Sequence, residues 1–402
     1  MPIISAITSP RVSRIQSNVP VLGGFSLYFH GAAFTETPGF RGVSHLSEHL
    51  LADAFSDLGD DLSRLGLAHN ASTDHHNVNV FATGLTASVH RYVEDILLRP
   101  GARNILSYVP SRESFERERA VVIQEYETYL SQDVWALIIN IRRKFYNYYD
   151  ELGYDADLKA LTYENFMEFF ESRFRQPTGI VYTGDVGAYK EWLEPEFWNR
   201  GRAIIEVKTT GPNLRPEFDT DRVRDYVPQS FSTSDRKCVI GDWFEVEAQV
   251  WEHEIIQELW NNGSTESAPL MGELRHRNGL CYSTGIVMDQ RPTNLALLYV
   301  TTAPENVARA RALGHDVLRN WERHITRERF NLVIEGIRVQ IQMIEAKNFS
   351  RGYISRFEAT EDAVLTTERL ETYTYERACE IMSGFGTMAI HRAETGAEII
   401  LD

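Results

Sequence analysis

Two histidines and a glutamate stand within five residues of one another, in the segment His45-Leu46-Ser47-Glu48-His49. Successive residues of an α-helix are rotated by about 100°, so in a helix His45, Glu48 and His49 would share one face. Two imidazoles one turn apart can bind a single zinc ion through their ring nitrogens. A glutamate on the same face can then take a proton from the attacking water, which zinc makes more acidic. The segment therefore predicts metal-assisted hydrolysis.

A catalytic zinc site needs a third protein ligand, and in catalytic sites that ligand is often a carboxylate. A long helical pattern, from about Glu113 to Tyr148, supplies several acidic side chains at different positions. The candidates are Glu113, Glu116, Glu118, Glu125 and Glu127. The residue types alone do not select one of them.

The elements around the motif follow from hydrophobic periodicity. Alternation of apolar and polar residues predicts strands at 20–30, 76–84 and 178–183, and a spacing of three to four predicts helices at 42–55, 87–98 and 164–174. The aromatic run from Phe166 to Phe174 is typical of the core face of an amphipathic helix. The motif thus belongs to a helix that follows a strand.

The order of elements repeats after a segment rich in proline and glycine. Strands are predicted at 236–241, 280–287 and 295–302, and helical segments at 245–260, 270–277 and 305–322. We therefore predict an α+β fold of two homologous domains, each a mainly antiparallel sheet packed with helices. The predicted domains are residues 1–207, with the metal motif, and 231–402, joined by a linker at 208–230.

Composition narrows the function further. The 402 residues carry 41 basic and 57 acidic side chains, a net charge of −16, so phosphate-rich nucleic acid and anionic lipid would be repelled. Three widely spaced cysteines argue against a disulfide framework. We see no signal peptide and no apolar run of membrane-spanning length, so the expected location is cytoplasmic.

Other catalytic interpretations are weaker. His276 near Cys281 could suggest a thiol protease, but no motif supplies a residue to orient the histidine, and Cys281 falls in a predicted core strand. His75 and His76 are interpreted as exposed strand histidines. The chain contains no phosphate-binding glycine loop and no Gly-x-Ser-x-Gly.

The motif and its context resemble the pitrilysin-like (M16) zinc peptidases, the inverzincins, which carry an inverted His-x-x-Glu-His. In that family the third ligand is a glutamate about 76 residues beyond the second histidine, with another glutamate seven residues earlier. Glu125 and Glu118 occupy these positions here, in Glu118-Arg-Ala-Val-Val-Ile-Gln-Glu125. The resemblance implies that His45, His49 and Glu125 bind one zinc ion per chain, with Glu118 supporting the site from behind the ligands.

Further segments extend the resemblance over most of residues 20–320. Asn70-Ala-Ser-Thr73 resembles an edge strand that pairs with an extended substrate, and Gly184-Asp-Val186 resembles a turn late in the first domain. Arg275 and Tyr282, seven residues apart, resemble a pair that hydrogen-bonds the substrate near the scissile bond. The second half contains no His-x-x-Glu-His, so the resemblance implies an inactive second domain.

The resemblance implies a pitrilysin- or mitochondrial processing peptidase-like fold and a zinc endopeptidase that cleaves peptides or small unfolded polypeptides. Glu48 would be the general base and Tyr282 a catalytic partner, while Asn70, Ala71 and Arg275 would bind substrate. The family encloses substrate between four such domains, so two chains are implied, as a homodimer or as a heterodimer with a homologous subunit. The alternatives are a leader-peptide processing subunit with a different M16-like partner, or a non-catalytic scaffold subunit.

Overall fold

Strands and helices of this chain alternate along most of its length. The computed structural model describes residues 4–6, 11–16, 21–30, 32–33, 36–53, 64–74, 77–97, 108–130, 151–175, 177–185, 192, 194, 206–208, 230–234, 237–264, 266–288, 295–346, 365–392 and 400–401. These residues group into two units, each with its own sheet and its own buried core. Their elements are mainly antiparallel strands and helices, which confirms the α+β class.

The first unit contains seven described strands: β1 Ile4–Ala6, β2 Arg11–Gln16, β3 Leu22–His30, β4 Ala68–Thr73, β5 Asn77–Leu85, β6 Gly179–Gly184 and β7 Glu206–Lys208. Five of them form one sheet in the order β2-β6-β3-β5-β4. The β2 and β6 strands run parallel, and the other neighbours in this sheet run antiparallel. The β1 and β7 strands form a separate antiparallel pair.

The helices of the first unit are α1 Val43–Asp53, α2 Thr86–Arg91, α3 Arg112–Leu130, α4 Asp155–Ala160 and α5 Tyr163–Arg173, with a π-helical turn at Tyr92–Leu97 after α2. Phe25, Leu27 and Phe29 of β3 point into the core, where they meet aromatic side chains at helical spacing in and just after α5. Phe166, Phe170 and Phe174 are buried there, as the sequence predicts.

The second unit contains β8 Ser230–Ser234, β9 Lys237–Glu245, β10 Ser283–Met288, β11 Leu295–Thr302 and β12 Ile400–Leu401. They form a sheet in the order β10-β11-β9-β8-β12, antiparallel except for β12 and β8. Its helices are α6 His253–Asn261, α7 Val307–Arg319, α8 Arg327–Ala346, α9 Thr367–Thr372 and α10 Tyr375–Arg392. A π-helical segment at Met271–Arg277 precedes β10, and 3-10 turns lie at Val250–Glu252, Pro304–Asn306 and Trp321–Arg323.

One predicted helix begins later than its pattern indicated. The segment at 245–260 was expected to be helical throughout, but β9 continues to Glu245 and helical turns begin only at Val250. The buried carboxylate of Glu252 accepts a hydrogen bond from the backbone N–H of Gln249 at 2.6 Å, which closes a capping box. This reciprocal cap fixes the helix start there.

The predicted linker lies almost wholly outside the described residues. Its first residue, Lys208, is the last residue of β7, and Ser230 begins β8. The domain boundaries therefore stay a prediction. Among the described helices, none has the combination of length and apolar character needed to cross a membrane.

Candidate metal centre

Helix α1 presents one face to the core and another to the predicted site. Val43, Leu46, Leu50 and Leu51 are fully buried, and the helix packs against β4 and β5. His45, Glu48 and His49 lie on the remaining face, where their side chains are 11%, 16% and 16% exposed. Burial of the apolar side thus fixes which way the three functional side chains face.

The N-terminus of α1 is held by a buried carboxylate. Glu36, which is 2% exposed, accepts hydrogen bonds from the backbone N–H groups of Gly42 and Ser44 at 2.6 and 2.8 Å. These are N–H groups that the first turn of a helix leaves without intrahelical partners. A negative charge there is also favoured by the helix dipole. The start of α1, two residues before His45, is therefore fixed by a group outside the helix.

Asp157, at the start of α4, binds the loop that leads into α1. It accepts hydrogen bonds from the Gly39 N–H at 2.7 Å and from the guanidinium of Arg41 at 2.6 and 2.8 Å. Gly42 has a φ of +96° and packs so closely on Gly153 that a Cβ on Gly153 would lie 2.2 Å from the Gly42 Cα. Both glycines are thus required by a close approach of two backbone segments.

The predicted metal ligands converge. Glu125 of α3 places its Oε2 atom 3.5 Å from Nε2 of His45 and 3.5 Å from Nε2 of His49. One donor atom from each of the three residues lies within 4.8 Å of the other two. Of the five acidic side chains that the sequence left open, Glu125 is the one that completes a cluster with both histidines.

This donor set fits zinc. Ligand atoms bound about 2.0–2.1 Å from a tetrahedral zinc ion are separated from one another by roughly 3.3 Å. The two nitrogen–oxygen distances of 3.5 Å are close to that separation. Two imidazoles and a carboxylate are also a donor set found in catalytic zinc sites, where the fourth position stays open for water or substrate.

Glu118 contacts one of the predicted ligands on the side away from the metal site. Its Oε2 atom lies 3.3 Å from Nδ1 of His49, the ring nitrogen that does not face Glu125. A carboxylate at this place fixes the ring orientation and presents Nε2 as the electron-pair donor. His45 has no such support, because its Nδ1 atom is buried without a hydrogen-bond partner among the described residues. Among the described residues, Glu118 therefore supports the His49 ring, and no equivalent contact supports the Nδ1 atom of His45.

Electrostatics favour a neutral His45 and a less acidic Glu48. Removal from solvent, reinforced by the neighbouring His49, lowers the pKa of His45 to about 3, so its imidazole is neutral at pH 7. A neutral imidazole is the form that ligates metal. Burial raises the pKa of the Glu48 carboxyl, and Glu125 adds to the rise, while Thr73 and His49 oppose it. The Glu48 Oε2 atom lies 4.0 Å from Nε2 of His45.

Asn70 and Ala71 lie on β4, the outermost described strand on their side of the first sheet. Asn70 is exposed and Ala71 is buried. The Asn70 Oδ1 atom accepts a hydrogen bond from the Ala71 N–H at 2.9 Å. Thr73, on the same strand, opposes the rise that burial causes in the Glu48 pKa. The β4 strand is thus next to the helix that carries Glu48.

Arg275 and Tyr282 come together in the second unit. The Arg275 Nη1 atom donates a hydrogen bond to the backbone carbonyl oxygen of Tyr282 at 2.9 Å, and the Tyr282 side chain is 51% exposed. The backbone N–H of Tyr282 donates to the carbonyl of Thr301, which fixes this residue just before β10. The contact thus uses the main chain of Tyr282.

The thiol-protease interpretation finds no support in the geometry. His276 is exposed and its Nε2 atom pairs with Glu266 at 3.0 Å. Burial raises the pKa of the Cys281 thiol to about 11, the opposite of what a nucleophile needs. His75 and His76 lie outside the described residues.

Sequence reasoning did not single out Glu36, Asp157 or Arg117 as residues around the site. Capping preferences concern the residue next to a helix, whereas Glu36 stands seven positions before Val43. Asp157 acts from more than 110 positions away along the chain. Arg117 is the neighbour of Glu118 on α3. Its contact with Asp53 of α1 depends on tertiary packing. No local pattern could have identified these three.

Neither a protein-family model nor a curated protein sequence matches this chain. Solved structures match over nearly its whole length. A protease from Helicobacter pylori aligns with a TM-score of 0.70 at 15% identity, covering 97% of this chain and 96% of that one. A peptidase M16 inactive domain from Pseudomonas fluorescens aligns with a TM-score of 0.65 at 12% identity, covering 99% and 96%.

The periplasmic protease PqqL from Escherichia coli aligns with a TM-score of 0.61 at 12% identity. The match covers 98% of this chain but 47% of that protease. At these identities the likeness concerns the fold, and the chain has the fold of M16-like peptidases, a class that includes an inactive domain.

Proposed function

We propose that this chain is a zinc-dependent endopeptidase that cleaves peptides or small unfolded polypeptides. The observation that carries the proposal is the convergence of two imidazoles and one carboxylate, from His45, His49 and Glu125, with the carboxyl of Glu48 beside them. The M16-like fold supports the same conclusion, because two of the matched structures are described as proteases.

Zinc, when bound by these three residues, lowers the pKa of water to near 7 and polarises a carbonyl. Glu48 takes a proton from the attacking water while the water oxygen bonds to the scissile carbonyl carbon. Its raised pKa suits this role, since a base works best when its pKa approaches the operating pH. Glu48 then gives that proton to the departing amine as the carbon–nitrogen bond breaks. Glu118 keeps the His49 ring oriented throughout.

Asn70 and Ala71 would receive the substrate as an added strand on β4. An extended peptide that pairs with a sheet edge gains main-chain hydrogen bonds whatever its side chains are. The proximity of β4 to α1 supports this placement, because a peptide on β4 would run beside Glu48. The net charge of −16 favours neutral or basic peptides.

The two units share a design, which supports the proposal of two homologous domains in a pitrilysin-like arrangement. In the first sheet β3 lies beside β5, which lies beside β4, and in the second β9 lies beside β11, which lies beside β10. The two sheets differ on the other side of the central strand. There β3 pairs with β6, which follows it in the chain, whereas β9 pairs with β8, which precedes it.

The working assembly proposed is a pair of chains, as a homodimer or as a heterodimer with a homologous subunit. The PqqL protease is about twice as long as this chain, which supports the idea that one chain supplies half of an enclosing chamber. Arg275 and Tyr282 of one chain would then serve the metal site of the other. Tyr282 would stabilise the oxyanion and Arg275 would hold a substrate carbonyl.

A non-catalytic scaffold is the second candidate, and the match to an inactive M16 domain favours considering it. The complete set of His45, Glu48, His49 and Glu125 argues for catalysis, because a scaffold has no need of this donor set. A leader-peptide processing subunit with a different M16-like partner would use the same chemistry. Cleavage-site mapping on a peptide library distinguishes these possibilities.

The decisive experiment is the Glu48→Gln variant, assayed for both zinc content and peptide cleavage. We expect about one zinc per chain to remain and turnover to fall by about 10²–10⁴-fold, the usual contribution of general-base catalysis. Glu113→Gln is the matched control, because this exposed carboxylate lies on α3 away from the ligands. Wild-type protein without zinc or peptidase activity would refute the proposal.

The two-chain arrangement is tested by mixing Glu48→Gln with Tyr282→Phe, after each is shown to be inactive alone. In a mixed pair, one site combines an intact metal centre with an intact Tyr282, so activity should partly return. Subunit exchange must be demonstrated independently, with differently tagged chains. Exchange without recovered activity would show that Tyr282 does not act across chains.

A further inference from the structure

The functional side chains of the first unit stand on two separate helices. His45, Glu48 and His49 belong to α1, whereas Glu118 and Glu125 belong to α3. The donor separations therefore depend on how α1 and α3 are held against each other. A contact that ties these helices together near the ligands would set those separations.

Arg117 makes such a contact. Its Nη2 atom pairs with Oδ1 of Asp53, the last residue of α1, at 2.7 Å, and its Nε atom donates to Oε1 of Glu118 at 2.9 Å. The other oxygen of Glu118 faces Nδ1 of His49 at 3.3 Å. One guanidinium thus connects the end of the ligand helix to the carboxylate that orients a ligand.

We propose that Arg117 is a positioning residue for the metal site, acting through Glu118 and Asp53. It holds Glu118 with one oxygen toward the guanidinium and the other toward His49, and it ties α1 to α3. This inference rests on the proposed zinc function. The planar guanidinium suits the role, because its N–H groups can address two carboxylates at fixed angles, whereas a lysine ammonium is a single point charge.

A stabilising surface ion pair would behave differently from a positioning residue. The Arg117 side chain is 50% exposed, and exposed ion pairs contribute little to the free energy of unfolding. Loss of groups that orient metal ligands typically costs about 10–100-fold in metal affinity. Removal of Arg117 should therefore weaken zinc binding while leaving the resistance to unfolding almost unchanged.

The experiment measures zinc affinity by competition with a chromophoric chelator, at fixed pH and ionic strength. Glu118→Gln should weaken zinc binding by about 10–100-fold, and Arg117→Gln by up to about tenfold, since it acts one contact further out. Arg112→Gln is the matched control, because Arg112 is an exposed arginine of α3 that pairs with Glu164 instead. Unfolding of the metal-free variants by denaturant provides the stability readout.

A double-variant cycle tests the route. Because Arg117 acts partly through Glu118, Arg117→Gln should cost less affinity in the Glu118→Gln background than alone, the remaining cost reflecting the contact with Asp53, and Arg117→Lys should retain only part of the affinity. An Arg117→Gln variant with wild-type zinc affinity, beside a weakened Glu118→Gln, would overturn this inference alone. Equal losses in Arg117→Gln and Arg112→Gln would also overturn it, as a general charge effect. Stoichiometric zinc that survives His49→Ala at the same affinity would instead refute the proposed function.

Discussion

Helices α1 and α6 occupy corresponding places in the two units but have different contents. Each follows a central strand, β3 or β9, and each packs on the outer strand of its sheet, β4 or β10. The third, sixth and seventh residues of α1 are His45, Glu48 and His49. One turn of this helix therefore carries the metal-site chemistry.

The same positions in α6 are Ile255, Glu258 and Leu259. Both aliphatic side chains are fully buried in the second core, and Glu258 accepts a hydrogen bond from the Asn262 side chain at 2.9 Å, one turn along. The glutamate is present at both places, but only in α1 is it flanked by imidazoles. The two positions that carry the histidine ligands in α1 therefore carry core side chains in α6.

Transplanting the α6 residues into α1 should give the largest effect. The double variant His45→Ile/His49→Leu is expected to lose all bound zinc and all peptidase activity, because two of three ligands are gone. The fold should persist, because His45 and His49 lie off the core face of α1, which Val43, Leu46, Leu50 and Leu51 form. Metal analysis and circular dichroism check both parts. Bound zinc at about one per chain would contradict the assignment.

A truncation in α6 tests whether this helix only packs in the second core. Leu259→Ala should reduce the free energy of unfolding of the second unit by about 2–5 kcal/mol, because it leaves a cavity in a filled core. Zinc content per folded chain should stay the same. Denaturant unfolding in the presence of a chelator, followed by a probe in each unit, measures the effect. A loss of zinc from the folded variant would mean that α6 contributes to the metal site.

Asp157 provides a pH-dependent test of the loop that leads into α1. Bonds from Arg41, and from the Gly39 N–H, hold the pKa of this carboxyl below its ordinary value. A lowered pKa stabilises the folded state above the unfolded value of about 3.9, and this contribution is lost as the pH falls toward the folded-state pKa. Asp157→Asn should therefore cost about 1–3 kcal/mol at pH 7.

The difference between wild type and Asp157→Asn should shrink below about pH 4. Unfolding curves from pH 7 to pH 3 measure it, with Asp155→Asn as the control, because Asp155 is more exposed and pairs with Lys159. A difference that is independent of pH would assign the effect to hydrogen bonding instead of charge.

The smallest expected effects come from two matched helix caps, one in each unit. Thr162 accepts a hydrogen bond from the Asn165 N–H at the start of α5, and Thr366 accepts one from the Arg369 N–H at the start of α9, each at 3.2 Å. Replacement of either threonine by alanine should cost about 0.5–2 kcal/mol. Similar losses in the free energy of unfolding would show that helix capping contributes equally in the two units, although their sites differ. A threonine whose replacement costs nothing would show that tertiary packing, and not the cap, holds that helix start.

Much of the fold followed from local pattern. Alternation placed the strand at 20–30, found as β3 Leu22–His30, and apolar spacing of three to four placed the helix at 42–55, found as α1 Val43–Asp53. The strand at 295–302 was placed at its observed bounds. These elements were predictable because burial on one face imposes a period of 2 or 3.6 on the sequence itself. The late start of the helical segment at 250–261 was missed because its capping box uses Gln249 as the cap, whereas the usual sequence signal at that position is Ser, Thr, Asp or Asn.

The sequence alone determined the ligand pair on α1, because two histidines and a glutamate at helical spacing must share a face. It also narrowed the third ligand to five glutamates, and resemblance pointed to Glu125 among them. Only the tertiary structure decided that Glu125 stands 3.5 Å from both ring nitrogens and that Glu36, Asp157 and Arg117 hold the supporting segments. Such contacts join segments whose separation along the chain carries no periodic signal, so they arise from the packing of α1, α3 and α4 around one sheet.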